Sequence, residues 1–241
     1  MKYVAFVGTG GPQPEEALAA MNRDFPAYLE EMDRRGVRLF GRELDLPETA
    51  VTVRVRDGET LVTDGPFAET KEFVAGLDLL ECADLEEAIE VEAKSPAARF
   101  CPFEVRPVAD GLRLGAGAST FGREDDSAGI PYLLMAWVGQ TSAAAPDERA
   151  VTREYEAWRE ELQARSALVL GTVLDDPETA RTIRIRDGEM QLSDGPFIDI
   201  EEFIAGIDVI TCAGREQAIE LAAAHPIARH HAIEVRPFYS E

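Results

Sequence analysis

Three histidines, His225, His230 and His231, stand close together near the end of the chain, and it has no others. Neutral imidazole takes a proton near pH 7, so acid–base chemistry is sought here first. His225 directly precedes Pro226 at the end of a predicted helix. There it either works on a ligand or caps the helix, whose C-terminal dipole favours a cation. His230 and His231 are adjacent, so on a strand they face opposite ways and fit one metal ion badly. The cysteines, Cys82, Cys101 and Cys212, include no CxxC spacing, and no metal site is expected. Asp64 and Asp194 each open the tetrapeptide Asp-Gly-Pro-Phe. An Asp there either closes a turn by accepting backbone N–H bonds or serves as a general base or ligand acceptor. In the first account Gly65 and Gly195 supply positive φ, Pro66 and Pro196 fix the next φ, and Phe67 and Phe197 plug apolar gaps. Arg54 and Arg56, like Arg184 and Arg186, alternate along one strand and share a face. They pair with surface carboxylates or receive a carboxylate ligand, and Arg106 and Arg236 are read the same way. Gly10-Gly11-Pro12 lacks the lysine and spacing of a phosphate loop, and no Gly-x-Ser-x-Gly elbow occurs.

The elements that must position these residues come twice. Pro47–Ala50, Arg56–Glu59, Asp64–Phe67 and Glu104–Pro107 return as Pro177–Ala180, Arg186–Glu189, Asp194–Phe197 and Glu234–Pro237, all at one offset of 130. The chain is one domain written twice: 1–108, a flexible linker over 109–129 rich in Gly, Ala, Ser and Asp, and 130–241. Apolar runs predict first strands over Tyr3–Val7 and Leu133–Val138. Helical spacing predicts helices over Pro14–Arg35 and Pro146–Arg165, the first kinked or starting late at Pro26. Second strands follow over Val37–Leu44 and Ala167–Leu174. Hairpins turn at Asp57-Gly58 and Asp187-Gly188, the dipeptide that suits a tight two-residue turn. Strands over Phe73–Cys82 and Phe203–Cys212 follow, then helices over Ala83–Lys94 and Ala213–Ala224 that stop before Pro96 and Pro226. Strands over Phe103–Pro107 and Ile233–Pro237 close each copy. The order β-α-β-hairpin-β-α-β is a ferredoxin-like split βαβ with an inserted hairpin, hence α+β. Two helices cover one sheet face, and the second copy is the obvious cover for the other. Cys82 and Cys212, equivalent in the repeat, are expected as buried thiols.

The chain has 241 residues, with 46 acidic against 24 basic side chains and a net charge of −22. That field repels phosphate backbones and anionic membrane surfaces, so neither nucleic acid nor membrane is an expected partner. The N-terminus lacks a cleavable leader, and no apolar run is long enough to span a bilayer, so a cytoplasmic protein is expected.

The repeated Asp-Gly-Pro-Phe, the Glu69-Thr70-Lys71-Glu72 that follows it, the Arg-Asp-Gly hairpin and the closing Glu-Val-Arg-Pro resemble the DGPF group of the YCII-related family. The resemblance covers both copies. It implies an intrachain dimeric α+β barrel, with room for a further homodimer. It also implies a small-molecule-binding or accessory module, linked to an extracytoplasmic-function sigma factor, with no cofactor. Some members resemble a dehydrochlorinase carrying a His on the first helix and an Asp before the proline that ends the second. Those places hold Phe25 and Ser95 in the first copy, Tyr155 and His225 in the second. The alternative function is therefore a cofactor-free lyase, isomerase or dehydrochlorinase, with Tyr155 and His225, and Asp194 beside them, as catalytic groups. Phe25, Ser95, Asp64, Phe67, Phe197, Arg184 and Arg186 are the candidate binding residues. If one copy is active it is the second, because the first has no histidine.

Overall fold

The computed structural model describes residues 1–10, 14–68, 72–109, 111–115, 129–139, 147–198 and 200–240. The first half of the chain runs β1 (Lys2–Gly8), α1 (Glu15–Arg35), β2 (Arg38–Glu43), β3 (Val51–Arg56), β4 (Glu59–Asp64), β5 (Val74–Glu81), α2 (Leu85–Ala93) and β6 (Phe103–Pro107). After β7 (Arg113–Leu114) the same order returns as β8 (Ile130–Gly139), α3 (Glu148–Ala164), β9 (Leu168–Val173), β10 (Arg181–Arg186), β11 (Glu189–Asp194), β12 (Glu202–Cys212), α4 (Arg215–Ala224) and β13 (Ala232–Pro237). The fold is mixed α+β, with two antiparallel sheets and four α-helices among the described residues.

Local chemistry accounts for the boundaries. Asp84 caps α2 by accepting the Glu87 N–H at 2.9 Å, and Glu87 reaches back to the Ala83 N–H at 2.7 Å. Gly36 ends α1 in the left-handed region at φ 67°, and Ser166 takes the same conformation at φ 55° after α3. Pro26 neither ends nor delays α1, which runs unbroken from Glu15. The proline is exposed, so the carbonyl it leaves without a donor lies on the solvent side of the helix. Asp57 and Gly58, like Asp187 and Gly188, all have positive φ, as the tight hairpin turn requires. The repeated Pro-Glu-Thr-Ala, unassigned from sequence, forms a 3-10 turn in each half, with the Thr hydroxyl bonded back at 2.6 Å.

The chain forms two compact units, and neither coincides with a half of the sequence. The first comprises Met1–Glu43, Thr70–Val108 and Asp175–Asp199. Its sheet has the order β11-β10-β6-β1-β5-β2, so the hairpin of the second half completes it. β10 pairs with β6 through Arg181–Val105, Thr182–Glu104 and Ile183–Phe103. Tyr3, Ala5, Leu80, Val105 and Ile183 form its helix-side core with Met32 and Ala88. The second unit comprises Leu44–Glu69, Ala109–Leu174 and Ile200–Glu241. Its sheet has the order β4-β3-β13-β8-β12-β9-β7, with the first half's hairpin joined through β3 to β13. Leu134, Trp158, Leu162, Ile210 and Ile233 centre its core. The expected in-copy hairpin is thus corrected: each hairpin is inserted into the sheet of the other copy.

Part of the segment read as a linker is structured too. Arg113 and Leu114 pair with Gly171 and Leu170 as the edge strand β7, while residues 116–128 lie outside the described residues. An edge strand offers unpaired backbone groups that even a two-residue pairing satisfies. Pro146, Gly11, Pro12 and Glu69-Thr70-Lys71 also lie outside the described residues. No helix among the described residues is long and apolar enough to cross a membrane.

Candidate functional site

The site lies in the second unit, between α3 and its sheet. Residues at helical spacing turn one face of α3 inward, burying Tyr155, Trp158, Arg159 and Leu162. On β12 every second residue faces these helices, and Asp208 shares that face with the core residues Ile210 and Cys212. Gly171, on the adjacent β9, makes the room: a Cβ there would lie 2.3 Å from Asp208 Oδ1.

Asp208 joins the two candidates singled out in the second copy. The Tyr155 hydroxyl donates to Asp208 Oδ1 at 2.9 Å. His225 Nε2 stands 3.5 Å from Asp208 Oδ2. His225 also caps the proline turn after α4, its Nδ1 accepting the Ile227 N–H at 3.2 Å. An Nδ1 lone pair spent this way leaves the ring proton on Nε2, facing the carboxylate. The ring is further held by Tyr155, at 5.1 Å between centroids, and by Trp158, edge-on at 4.7 Å. Tyr155, His225 and Asp208 are all buried. Burial, and then the Asp208 charge, push the Tyr155 phenol well above its ordinary range, so it stays a neutral donor. Arg159 covers the outer face of the Tyr155 ring at 4.3 Å from its centroid. Its guanidinium bonds the Gly111 and Gly171 carbonyls at 3.0 and 3.3 Å and pairs with Glu156.

These groups border a cavity of about 610 Å³. Val138, Val151, Val173 and Ile227 give it apolar walls; Asp208, Tyr155 and His225 form one polar wall and His231 another. His231 lies in the bend just before β13. Its Nδ1 accepts the Gly139 N–H at 3.5 Å, and burial, then His230 and Arg56, lower its pKa. The arrangement can hold a small ligand by hydrogen bonds to Asp208, or exchange a proton with it.

The other sequence candidates lie elsewhere. Asp194, proposed beside Tyr155 and His225, ends β11 in the first unit with its side chain 88% exposed, and pairs with Arg181 at 3.2 Å. Asp64 pairs with Arg215. The expected turn-closing role passes from the Asp side chains to backbone bonds, Gly65 and Gly195 donating to Ala50 and Ala180. Phe67 stacks on Trp137 at 5.0 Å, under Arg54. Phe197 is buried against Gly8. Arg184 bonds both oxygens of Glu72, at 2.9 and 3.1 Å, while Arg186 is exposed. Arg106 and Arg236 do not pair on the surface: each is buried on its strand with Glu104 or Glu234 two residues away. Phe25 is half-buried beside Tyr28, and Ser95 is buried. Cys82, Cys101 and Cys212 are free thiols; burial pushes Cys82 up to about 11.

Sequence reasoning missed Asp208 and Arg159. The signal for Asp208 was available: Gly76-Leu77-Asp78 and Gly206-Ile207-Asp208 put the same acid into both copies of an otherwise apolar strand.

The sequence model of the YCII-related domain matches residues 1–110 and again 132–240. The chain belongs to the YCII-related family. An uncharacterised protein of Rhizobium meliloti (strain 1021) is 45% identical to this YCII-related chain over 67 residues, 27% of the chain and 54% of that protein. The chain thus spans about half the length of this curated relative. Among solved structures, a heme-binding protein from Thermus thermophilus aligns at 11% identity with a TM-score of 0.43, over 99% of this chain and 91% of that one.

Proposed function

We propose that this YCII-related chain is a small-molecule-binding module whose ligand enters the cavity of the second unit. The observation that carries this reading is a single buried carboxylate, Asp208, bordering the cavity while accepting from Tyr155 and facing His225. Fixed polar groups converging on apolar walls are the usual make-up of a small-ligand site. Asp208, Glu148 and Glu156 outnumber Arg159, whose guanidinium is already engaged. The lining therefore favours a neutral, largely apolar ligand with a hydroxyl or amine donor over an acidic one. The intrachain barrel implied by the resemblance, and an accessory role beside a sigma factor, belong to the same proposal; co-purification with such a factor tests the latter. The test of the cavity is thermal shift against small phenols and quinones with the wild type, Asp208→Asn and His225→Ala. Stabilisation by a phenol that both variants lose supports the reading; equal stabilisation of all three chains sinks it.

A second reading is a cofactor-free lyase, isomerase or dehydrochlorinase. The Asp208 carboxylate favours it: it borders the cavity, is oriented by Tyr155 and His225, and a positioned carboxylate can take a proton from a bound ligand. Chemical conversion of a bound phenol, followed by NMR, that His225→Ala abolishes would distinguish catalysis from binding.

A further inference from the structure

The first unit carries its own buried polar group at the equivalent place, and the function proposed above does not use it. The repeat sets Asp78 where the second copy has Asp208, Phe25 for Tyr155 and Ser95 for His225. Asp78 shares a face of β5 with the core residue Leu80. Arg38, on the adjacent β2, donates through Nε to Asp78 Oδ1 at 2.5 Å. Gly41 is indispensable to this pair: a Cβ there would lie 1.7 Å from Asp78 Oδ1 and 2.1 Å from Arg38 Nη2. From α2, Glu92 adds a carboxyl that is 0% exposed. Its Oε2 accepts the Tyr28 hydroxyl at 3.3 Å, and its Oε1 has no hydrogen-bond partner among the described residues. The second copy has Leu168 and Ala222 in place of Arg38 and Glu92. The first half thus has polar equipment that the second lacks.

Two features of this group point to a ligand. Guanidinium is a rigid fork suited to bidentate binding of a carboxylate. Arg38 spends its Nε on Asp78, neither Nη makes a hydrogen bond among the described residues, and the side chain keeps 21% exposure. Beside it, burial and then the Asp78 charge raise the Glu92 pKa, which favours the neutral carboxyl, and a neutral carboxyl is a hydrogen-bond donor. An unspent fork and an unspent buried acid accept the same partner, a carboxylate. We propose that the first unit holds a second ligand site, for a small carboxylate: Arg38, oriented by Asp78, takes its two oxygens through Nη1 and Nη2, and Glu92 donates to it from within. The two copies thereby divide their ligands by charge, the first taking an anion and the second a neutral molecule.

Titration calorimetry of the full chain with acetate, succinate and benzoate, and with benzamide as the neutral counterpart of benzoate, tests this. At least one carboxylate should bind saturably, and benzamide should not bind. Arg38→Lys keeps the charge but loses the fork, and should weaken the carboxylate about tenfold or more with the melting temperature and circular dichroism retained. Glu92→Leu removes the inner donor and should weaken it as well, whereas Glu92→Gln, which keeps a donor, should retain it. Absence of binding by all three acids overturns the proposal, as does benzamide binding as tightly as benzoate. If Arg38→Lys does not fold, Glu92→Leu decides: undiminished carboxylate affinity in that variant overturns the site.

Discussion

The Phe67 backbone N–H donates to Glu234 Oε2 at 3.0 Å, joining residues 167 positions apart. Its counterpart in the repeat, Phe197 N–H to Glu104 Oε2, measures 3.3 Å. Two of the repeated motifs, Asp-Gly-Pro-Phe and Glu-Val-Arg-Pro, therefore form one device, used once in each unit with its parts drawn from opposite halves of the chain. Glu234 also accepts the Trp137 indole N–H at 3.2 Å and pairs with Arg236, which is buried as fully as its partner.

Glu234→Ala follows from that arrangement. It removes the buried carboxylate that pairs with Arg236 and leaves the Phe67 N–H without its acceptor. Breaking a buried pair by removing one partner costs about 3–5 kcal/mol, and the loss should appear in urea unfolding of the full chain. Glu104→Ala should act alike through Arg106 and Phe197. A cost below about 1 kcal/mol for both would mean that neither Glu holds its motif in place.

Tyr155→Phe isolates the phenol's contribution to the cavity. The change keeps the ring beside His225 but takes one donor from a buried carboxylate. A hydrogen bond to a charged acceptor contributes about 1.5–3 kcal/mol, so stability should fall by roughly that amount. Because the phenol stays protonated well above neutral pH, the loss should be constant across the neutral range. The stabilisation given by a bound phenol should fall with it. Wild-type stabilisation in Tyr155→Phe would remove Tyr155 from the site.

Glu92 makes the first unit sensitive to alkali. Its folded pKa is raised, by burial first and the Asp78 charge second, so the native state keeps a proton that the unfolded chain releases above about pH 4.3. Stability therefore falls as pH rises from there towards the folded value, and Asp78, shifted the same way, adds to the slope. Tyr28 and Arg38 are the other ionisable groups acting on Glu92. Glu92→Gln removes its share of the slope. Melting temperatures from about pH 5 to about pH 9 should show the variant gaining on the wild type as pH rises. A difference that does not change with pH would show that Glu92 is ionised in the native state.

What the sequence could and could not convey follows from how the information is stored. Helical spacing, the Asp-Gly turns and the prolines after α2 and α4 are local signals, and α1 to α4 and both hairpins lie close to where they predict. The hairpin exchange is not local. Both closing strands read Glu-Val-Arg-Pro, so either hairpin finds the same ladder on either strand, and the sequence alone cannot choose. The Asp64 and Asp194 carboxylates were ambiguous for another reason. Their partners, Arg215 and Arg181, stand where the other copy has Leu85 and Val51, so the repeat gave no hint of either pair. Tyr155 and His225 came from the resemblance, at the places where some members of the family carry a His and an Asp, whereas Asp208, which joins them, was read only as part of an apolar strand.

The exchange makes a prediction about the half-chain 1–108. Alone, it retains β1, β2, β5 and β6, but β6 lacks β10, and β3 lacks the β13 to which it pairs through Val51, Thr52 and Val53. A second copy of the same fragment supplies both deficits at once. The β3 of each copy can take the place of β10 beside the other's β6, because Val51, Thr52 and Val53 occupy the places of Arg181, Thr182 and Ile183. The pairing is reciprocal and closes after two chains, as an isologous dimer does. The fragment should therefore elute as a dimer in size exclusion with light scattering, and its melting temperature should rise with concentration. Glu104→Ala in the fragment should weaken that dimer, since Glu104 would hold the partner's Phe67 N–H as it holds that of Phe197 in the whole chain. A monomer with a cooperative melt and full secondary structure would show that a half folds on its own hairpin, and the exchange would then be an option of the chain rather than a requirement of its sheets.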